Sequence, residues 1–258
     1  MISRMRKIWK LIKIGALALF AGLVLLLVYE VATFPRVRRL KDANPETTAM
    51  IEIRAREARE RGEQPRRVQQ WVPLERISVN LQRAVLAGED SNFATHHGFD
   101  YEAIQKAWDQ AQRDAAKEAK EAGEDQSGWI PAMPSFKRGA STVTQQLAKN
   151  LYLSSERSFV RKAREAAITY FIEKNLPKRR ILEIYLNVIE WGDGVYGAEA
   201  AARTYFGKSA ANLTAQEAAF LSAIIPNPRT EFNPRLHPQR VARRQRIILR
   251  GMPSVRLP

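Results

Sequence analysis

The sequence predicts a mainly α-helical protein that carries one membrane-spanning helix near its N-terminus. From Ser78 onward, helix-capping residues recur ahead of segments in which apolar residues have helical spacing. No convincing alternation of apolar and polar residues indicates a β-strand, and no internal repeat is evident. Ahead of this region, an apolar run extends from Ile14 to Phe34 and includes a single acid, Glu30. Because about 20 apolar residues suffice to cross a bilayer as a helix, we expect this run to be an anchor.

The charges that flank the apolar run predict its orientation. Residues 1–13 contain no acid and five basic residues, which are Arg4, Arg6, Lys7, Lys10 and Lys13. A positive flank favours a cytoplasmic N-terminus, so the bulk of the chain would face outward. Three arginines between residues 36 and 39 weaken this asymmetry. A cleaved signal peptide is the alternative, but the run is long for one and no good small-x-small cleavage site follows it.

The composition restricts the classes of partner and of chemistry. Lysine and arginine total 42 against 27 for aspartate and glutamate, which gives a formal net charge of +15. Such a balance predicts an acidic partner, which is a nucleic acid, an anionic membrane surface or a phosphorylated substrate. The sequence contains no cysteine. Disulfides, thiolate nucleophiles and cysteine-based zinc sites are therefore excluded.

The region between the anchor and Trp71 is charged and weakly patterned. Residues 51–62 alternate arginine with glutamate and alanine, which is typical of a solvated helix. We therefore predict a basic cytoplasmic tail at 1–13, a transmembrane anchor at 14–34, a charged juxtamembrane spacer at 35–70 and one folded domain at 71–258.

Helix-start signals divide the folded domain into seven predicted helices. Four of them follow a capping residue: Val79–Ala87 after Ser78, Tyr101–Ala122 after Asp100, Val143–Leu151 after Ser141 or Thr142, and Phe159–Asn175 after Ser158. The others are Lys178–Val188 with Pro177 at its first turn, Ala218–Ile225 after the capping box Thr214–Glu217, and the basic, amphipathic His237–Met252. Residues 129–136 hold two prolines, so we expect a loop whose apolar residues form a buried lid or an exposed contact surface.

The first candidate group for chemistry is a pair of acids at the end of a predicted helix. Glu89 and Asp90 precede a turn that contains two histidines and Gly98. Acidic side chains are disfavoured near a helix C-terminus by the helix dipole, so stability does not explain the pair. The plain alternative is a solvated helix end.

Two further groups indicate an anion-binding site. Ser141, Thr142, Gln145 and Gln146 open a predicted helix, whose free N–H groups suit an anion, although a capped helix start is common. Four cations then lie within eight residues of Glu165, namely Arg157, Arg161, Lys162 and Arg164. An ordinary ion pair between Arg161 and Glu165 needs only one of them. The excess favours a multiply charged anion such as phosphate.

A fourth group has mainly a structural interpretation. Glu183 and Asn187 share one face of the helix that begins near Lys178. We expect Glu183 to pair with Arg179 as readily as to take part in chemistry, and we assign this group to the fold.

Together the four groups resemble the motifs of the peptidoglycan glycosyltransferases, glycosyltransferase family 51. The motifs follow in the family's order: Glu-Asp-x-x-Phe-x-x-His-x-Gly-x-Asp, Gly-x-Ser-Thr-x-x-Gln-Gln-x-x-Lys-Asn, Arg-Lys-x-x-Glu and Ile-Leu-Glu-x-Tyr-Leu-Asn. Residues 192–208 are similar to the family's next motif, and the likeness covers roughly residues 70 to 250. The absence of Ser-x-x-Lys and Lys-Thr-Gly, which mark a transpeptidase, predicts the monofunctional, single-span Gram-negative type.

The resemblance implies a lysozyme-like helical glycosyltransferase domain with a head and a membrane-side jaw, at residues 71–258. Two departures from the family pattern stand out. The chain has Gly139–Ala140 where the family usually has Gly-Gly, and the stretch between the first two motifs is longer than usual. The second departure affects the expected shape of the jaw rather than the chemistry.

The reaction that the resemblance implies is the polymerisation of lipid II. The GlcNAc 4-hydroxyl of lipid II would attack MurNAc C1 of the lipid-linked growing glycan, with inversion and release of undecaprenyl pyrophosphate. Glu89 matches the family's general base and Glu165 its second essential glutamate on the leaving-group side. Residues that would bind the sugars and the pyrophosphate are Asp90, Ser141, Thr142, Gln145, Gln146, Lys149, Asn150, Arg157, Arg161 and Lys162.

The resemblance also sets expectations for cofactors, partners and location. No cofactor is required and no metal site is predicted, although a divalent cation, Mg²⁺ or Mn²⁺, would fit at the pyrophosphate. The expected partners are lipid II, the lipid-linked glycan, the membrane, and proteins of cell division or cell-wall synthesis, with no nucleic acid. The expected location is the inner membrane, with the catalytic domain in the periplasm.

Two rival functions remain open from the residues alone. A lysozyme-like lytic enzyme would share a helical fold and a catalytic glutamate, but it would not need Lys149, Arg161 and Lys162 around a leaving pyrophosphate. A non-enzymatic, membrane-anchored basic protein would spread its cations along one face with aromatic residues between them, rather than in motifs beside carboxylates.

Overall fold

The structure is a computed structural model that describes residues 2–122, 141–154, 156 and 158–258, with side chains from residue 9 onward and without those of 115–122. The chain forms two compact units, residues 1–36 and residues 37–258. The predicted loop at 129–136 and the Gly139–Ala140 pair lie outside the described residues.

The first unit is a single helix, α1, which spans Ile2–Ala32. The described residues contain one helix that is long and apolar enough to cross a membrane, within Trp9–Lys41, and its mean hydropathy is 2.6. Its large apolar side chains, including Leu17, Phe20 and Leu25, are exposed. Such a helix fits the predicted single-pass anchor, since exposed apolar side chains need an apolar surrounding.

The second unit is built mainly from nine helices among the described residues. They are α2 (Ala49–Glu60), α3 (Val79–Glu89), α4 (Tyr101–Ala122), α5 (Val143–Tyr152), α6 (Phe159–Asn175), α7 (Lys178–Val188), α8 (Ala198–Phe206), α9 (Ala215–Ile224) and α10 (Pro238–Gly251). Short 3₁₀ turns at Val37–Lys41, Leu74–Arg76, Ala210–Asn212 and Met252–Ser254 connect or extend them. The mainly α-helical fold class is confirmed.

The predicted starts of α3, α5 and α6 are confirmed because the capping bonds form, whereas α9 begins at Ala215, three residues before the predicted Ala218. Ser78 and Ser158 accept the backbone N–H three residues on, at the starts of α3 and α6. Thr142 rather than Ser141 caps α5. Thr214 and Glu217 make the reciprocal capping box that was predicted for α9.

A small three-stranded sheet was not predicted. Its strands are β1 (Val68–Gln69), β2 (Glu190–Gly192) and β3 (Val195–Tyr196), in the order β1-β3-β2. β3 pairs in parallel with β1 and antiparallel with β2. Strands this short contain too few residues to show a two-residue alternation, so the sequence pattern could not reveal them.

The packing of the core places the candidate residues at the end of α3 and on α5 near each other. α3 packs against α9 and α10, while α5 packs against α2, α6 and α7. Leu81 and Val85 of α3 and Leu147 of α5 are fully buried. The C-terminal end of α3 and the outer face of α5 are thereby held in fixed positions.

The interpretation of residues 51–62 as a solvated helix is wrong. α2 buries Ile51 and Ile53, and Arg54 donates to Glu190 at 3.0 Å. The regular alternation of charge hid a narrow apolar stripe, which packs onto α5. From Val37 onward, the predicted spacer is thus part of the folded unit.

The structural interpretation of the fourth group is confirmed. Asn187 is fully buried, and its side chain donates to Val72 O and accepts from Val72 N, both at 2.9 Å. Glu183 accepts from the backbone N–H of Leu74 and pairs with Arg180, not with Arg179 as expected. Both side chains therefore fix the segment that leads into α3.

Candidate active site

Glu89 ends α3 with its carboxylate bound from two sides. Gln146 Nε2 of α5 donates to Oε2 at 2.8 Å, and Arg244 Nη2 of α10 donates to Oε1 at 2.8 Å. The Glu89 side chain is only 9% exposed. The alternative interpretation of Glu89 as part of a solvated helix end is therefore wrong.

Burial raises the pKa of Glu89 above its ordinary value. Arg244, the hydrogen bond from Gln146 and the charge of Lys149 act in the opposite direction, but burial dominates. A carboxylate with a raised pKa accepts a proton more readily than a solvated one. Glu89 is thus suited to general-base chemistry.

Asp90 has a different role from its neighbour. Its carboxylate contacts His96 Nε2 at 2.8 and 3.0 Å and accepts from the backbone N–H of Val143 at 2.9 Å. Since Gly98 N donates to His96 Nδ1, the imidazole carries its proton on Nε2 and donates it to Asp90. Asp90 therefore fastens the loop after α3 to the first turn of α5.

The start of α5 uses two of the predicted binding residues for local bonds. Thr142 Oγ1 accepts from Gln145 N and donates to Gly98 O at 2.7 Å, and Gln145 Oε1 accepts from Thr142 N. Both side chains are buried. Ser141, one residue earlier, is exposed.

The outer face of α5 carries Gln146, Lys149 and Asn150, which lie within one helical turn of each other. Burial lowers the pKa of Lys149, Arg161 and Lys162 lower it further, and Glu165 and Glu89 raise it. Lys149 therefore lies within electrostatic reach of both predicted catalytic carboxylates. The Tyr185 hydroxyl donates to Gln146 Oε1 at 2.8 Å.

Glu165 of α6 is buried beneath two cations. Arg161 Nη1 donates to Oε2 at 2.9 Å and Lys162 Nζ donates to Oε1. The Arg161–Glu165 ion pair that was expected from the spacing is thus present. The Nε of Arg161 is buried and has no hydrogen-bond partner in the described part of the chain. Arg157 lies outside the described residues.

Two cavities adjoin this constellation. One, of about 200 Å³, is lined by Glu89, Asp90, Asp100 and Ser141 among others. The other, of about 240 Å³, is lined by Gln146, Lys149, Asn150, Tyr185, Arg54 and Glu190 among others. Glu89 lines the first cavity and Gln146 lines the second, and a hydrogen bond joins the two side chains.

Three residues of the site had no role in the sequence interpretation. His96 and Tyr185 lie inside the quoted motifs, but no spacing rule shows that they bond to Asp90 and Gln146. Arg244 is one of five arginines in the last predicted helix. Its contact with Glu89 becomes visible only through the packing of α10 against α3.

Comparisons with known proteins agree with these motifs. The family model described as Transglycosylase matches residues 56–123 and 126–253. A biosynthetic peptidoglycan transglycosylase of Thiobacillus denitrificans is 45% identical over 259 residues, which covers 98% of this chain and 100% of that protein. Proteins of the same name from Azoarcus sp. and Bordetella pertussis are 43% identical over 235 residues and 45% identical over 211 residues. These alignments cover 90% and 82% of this chain, and 92% and 81% of the two relatives. The chain therefore belongs to the transglycosylase family.

Proposed function

We propose that this protein polymerises lipid II into glycan strands. The lipid-linked growing glycan is the donor, the GlcNAc 4-hydroxyl of lipid II is the acceptor, and undecaprenyl pyrophosphate is the leaving group. The observation that carries this proposal is geometric: on α5, Gln146 is bonded to Glu89 and lines one cavity together with Lys149. α6, which packs against α5, carries Arg161 and Lys162 on the carboxylate of Glu165. A proton acceptor and a cluster of cations thus belong to one site.

Glu89 acts as the general base in this proposal. The acceptor hydroxyl is a weak nucleophile, so its proton passes to Glu89 while its oxygen forms the new bond to C1. The bond from C1 to the pyrophosphate oxygen breaks on the opposite face, which inverts the configuration. The buried position and raised pKa of Glu89 support this role.

Cations receive the negative charge of the leaving group. A departing diphosphate needs charge neutralisation more than protonation, and Arg161, Lys162 and Lys149 supply fixed positive charge. Glu165 accepts from Arg161 and Lys162, so it orients both side chains. The Nε of Arg161 has no hydrogen-bond partner among the described residues. It is therefore a donor suited to a phosphate oxygen.

The remaining predicted binding residues divide into two groups. Ser141, Gln146 and Asn150 line the cavities and are assigned to contact sugars or phosphates. Thr142, Gln145 and Asp90 are committed to bonds at the start of α5, so we assign them to positioning. Arg157 stays a proposed phosphate contact, on the clustering of cations in the sequence alone.

A divalent cation would be held mainly by the substrate. No group of three or more His, Asp or Glu side chains suited to a metal occurs in the described ranges. Mg²⁺ is commonly bound through substrate phosphates and only one or two carboxylates. A cation that assists this reaction would add positive charge on the leaving diphosphate, beside that of Arg161 and Lys162. Titration of EDTA-treated protein with Mg²⁺ or Mn²⁺ in a polymerisation assay tests this dependence.

We infer a location at the inner membrane with the catalytic domain in the periplasm. The basic flank before the apolar helix supports this orientation. Protease added to spheroplasts should cleave the domain, and protection from the protease would contradict the orientation. Proteins of cell division or wall synthesis remain proposed partners.

Glu89→Gln tests the proposed function. Purified wild-type protein in detergent should convert lipid II to polymer, whereas the variant should form none and should bind lipid II within a few fold of wild type. Glu63→Gln, which neutralises an exposed glutamate paired with Arg61, is the matched control. Substantial polymer from Glu89→Gln would remove Glu89 from its role, and no polymer from wild type would overturn the function.

A further inference from the structure

A chain of hydrogen bonds leads from α7 to the proposed base. Tyr185 donates to Gln146 Oε1 at 2.8 Å, and Gln146 Nε2 donates to Glu89 Oε2 at 2.8 Å. Tyr185 is fully buried. Its hydroxyl is therefore placed by the packing of α7 rather than by solvent.

The two ends of the Gln146 amide are chemically different. Its oxygen only accepts hydrogen bonds and its nitrogen only donates them, so the direction of the amide decides what Glu89 faces. With Oε1 toward Tyr185, the nitrogen points at the Glu89 carboxylate. The reversed amide would place an oxygen against that carboxylate, which is repulsive.

We infer that Tyr185 is a positioning residue for the reaction: by donating to the Gln146 carbonyl, it keeps the Gln146 amide nitrogen aimed at the base Glu89. This inference rests on the proposed function, in which Glu89 accepts the proton. Tyr185 itself touches neither reacting atom in this assignment. It acts on Glu89 only through Gln146.

Other charged groups near Glu89 limit the size of the effect. Arg244 of α10 and Lys149 of α5 also favour the carboxylate form, and the hydroxyl of Tyr185 and the carboxylate of Asp90 lie in the same neighbourhood. Loss of the Tyr185 hydroxyl should therefore reduce the ionised fraction of Glu89 without eliminating it. The hydrogen bond from Gln146 lowers the pKa of Glu89, so a disordered amide should raise that pKa further.

Tyr185→Phe separates this role from simple packing. The substitution retains the aromatic ring in the core and removes only the hydroxyl. We expect kcat for lipid II polymerisation to fall by about tenfold at neutral pH, with the acid limb of its pH profile displaced to higher pH. A purely structural hydroxyl would lower thermal stability and leave the pH profile in place.

Tyr205→Phe is the matched control. The Tyr205 hydroxyl also makes one hydrogen bond of 2.8 Å, to the backbone oxygen of Trp191, outside the site. This variant should keep the wild-type pH profile. If both tyrosine variants move the acid limb equally, the inference is overturned.

A double-mutant cycle with Gln146→Met tests whether the effect passes through the amide. In that background Tyr185→Phe should cause no further displacement of the pH profile. Full additivity of the two substitutions would overturn the inference. If Glu89→Gln is inactive while Tyr185→Phe has a wild-type pH profile, the inference about Tyr185 fails and the proposed function stands. Polymer formation by Glu89→Gln would instead remove Glu89 from its role as base, and no polymer from wild type would overturn the proposed function.

Discussion

Arg244 Nη2 lies 2.8 Å from Glu89 Oε1, although 155 positions separate the two residues in the chain. The same nitrogen donates to Gly88 O at 2.8 Å. One guanidinium therefore fixes both the last turn of α3 and the carboxylate that follows it. A cation at a helix C-terminus is favourable, and here it also offsets the cost of burying the base.

Arg244→Met should slow polymerisation by about tenfold or more at neutral pH. The substitution removes the main charge that lowers the pKa of Glu89, so the carboxyl should hold its proton to higher pH. The acid limb of kcat against pH should therefore move to higher pH. Arg240→Met is the control, because Arg240 contacts the Phe232 ring as Arg244 does but pairs with Glu231. An unchanged pH profile for Arg244→Met would contradict this assignment.

Glu89 should make the folded state less stable as pH rises. Burial raises its folded pKa above the ordinary value of 4.5, so between these two pKa values the folded protein retains a proton that the unfolded chain has lost. The free energy of unfolding should fall with increasing pH in that interval. The melting temperature of Glu89→Gln, relative to wild type, should consequently increase as pH rises from 4.5 toward neutrality.

Glu217→Gln provides a control of opposite sign. Hydrogen bonds from Lys208 and from Thr214 lower the pKa of Glu217, so its stabilisation is present above the ordinary pKa and is lost as pH falls through the lowered one. The melting temperature of this variant, relative to wild type, should decrease as pH rises. Equal trends in the two variants would refute the assigned environment of Glu89.

The sequence predicted the starts of α3, α5 and α6 because their start signals are local, but it gave no prediction of α8. Ser78, Thr142 and Ser158 each cap a helix through a backbone N–H three residues away, so neighbouring residues carry the whole signal. The ion pair between Arg161 and Glu165 was likewise predictable, because the two residues lie one helical turn apart. Arg244, in contrast, reaches Glu89 only through the packing of α10 on α3, and charge alternation concealed the buried side of α2.

Two capping boxes of the same chemistry should differ in their effect on activity. Thr214→Ala and Thr142→Ala each remove a cap and should each destabilise the fold by about 1 kcal/mol. Thr142 also donates to Gly98 O, in the loop that Asp90 ties to α5. Only Thr142→Ala should therefore lower kcat at temperatures where both variants are folded. Chemical denaturation and polymerisation assays give the two quantities, and equal losses of kcat would argue against a positioning role for Thr142.

Arg161 should hold the diphosphate more than it stabilises the fold. Its guanidinium donates to Glu165 through Nη1, while its buried Nε has no partner within the described residues and remains a donor for a phosphate oxygen. Arg161→Met should weaken inhibition by inorganic pyrophosphate by about tenfold, because a charge-assisted hydrogen bond to the anion is lost.

Lys174→Met removes the same charge from an exposed position on α6, where Lys174 lies over the Tyr170 ring. Both variants change the net charge equally, so a general loss of attraction would affect them alike. Weaker inhibition in Arg161→Met alone identifies a local anion contact, whereas equal weakening would show that net charge, and not this side chain, attracts the diphosphate.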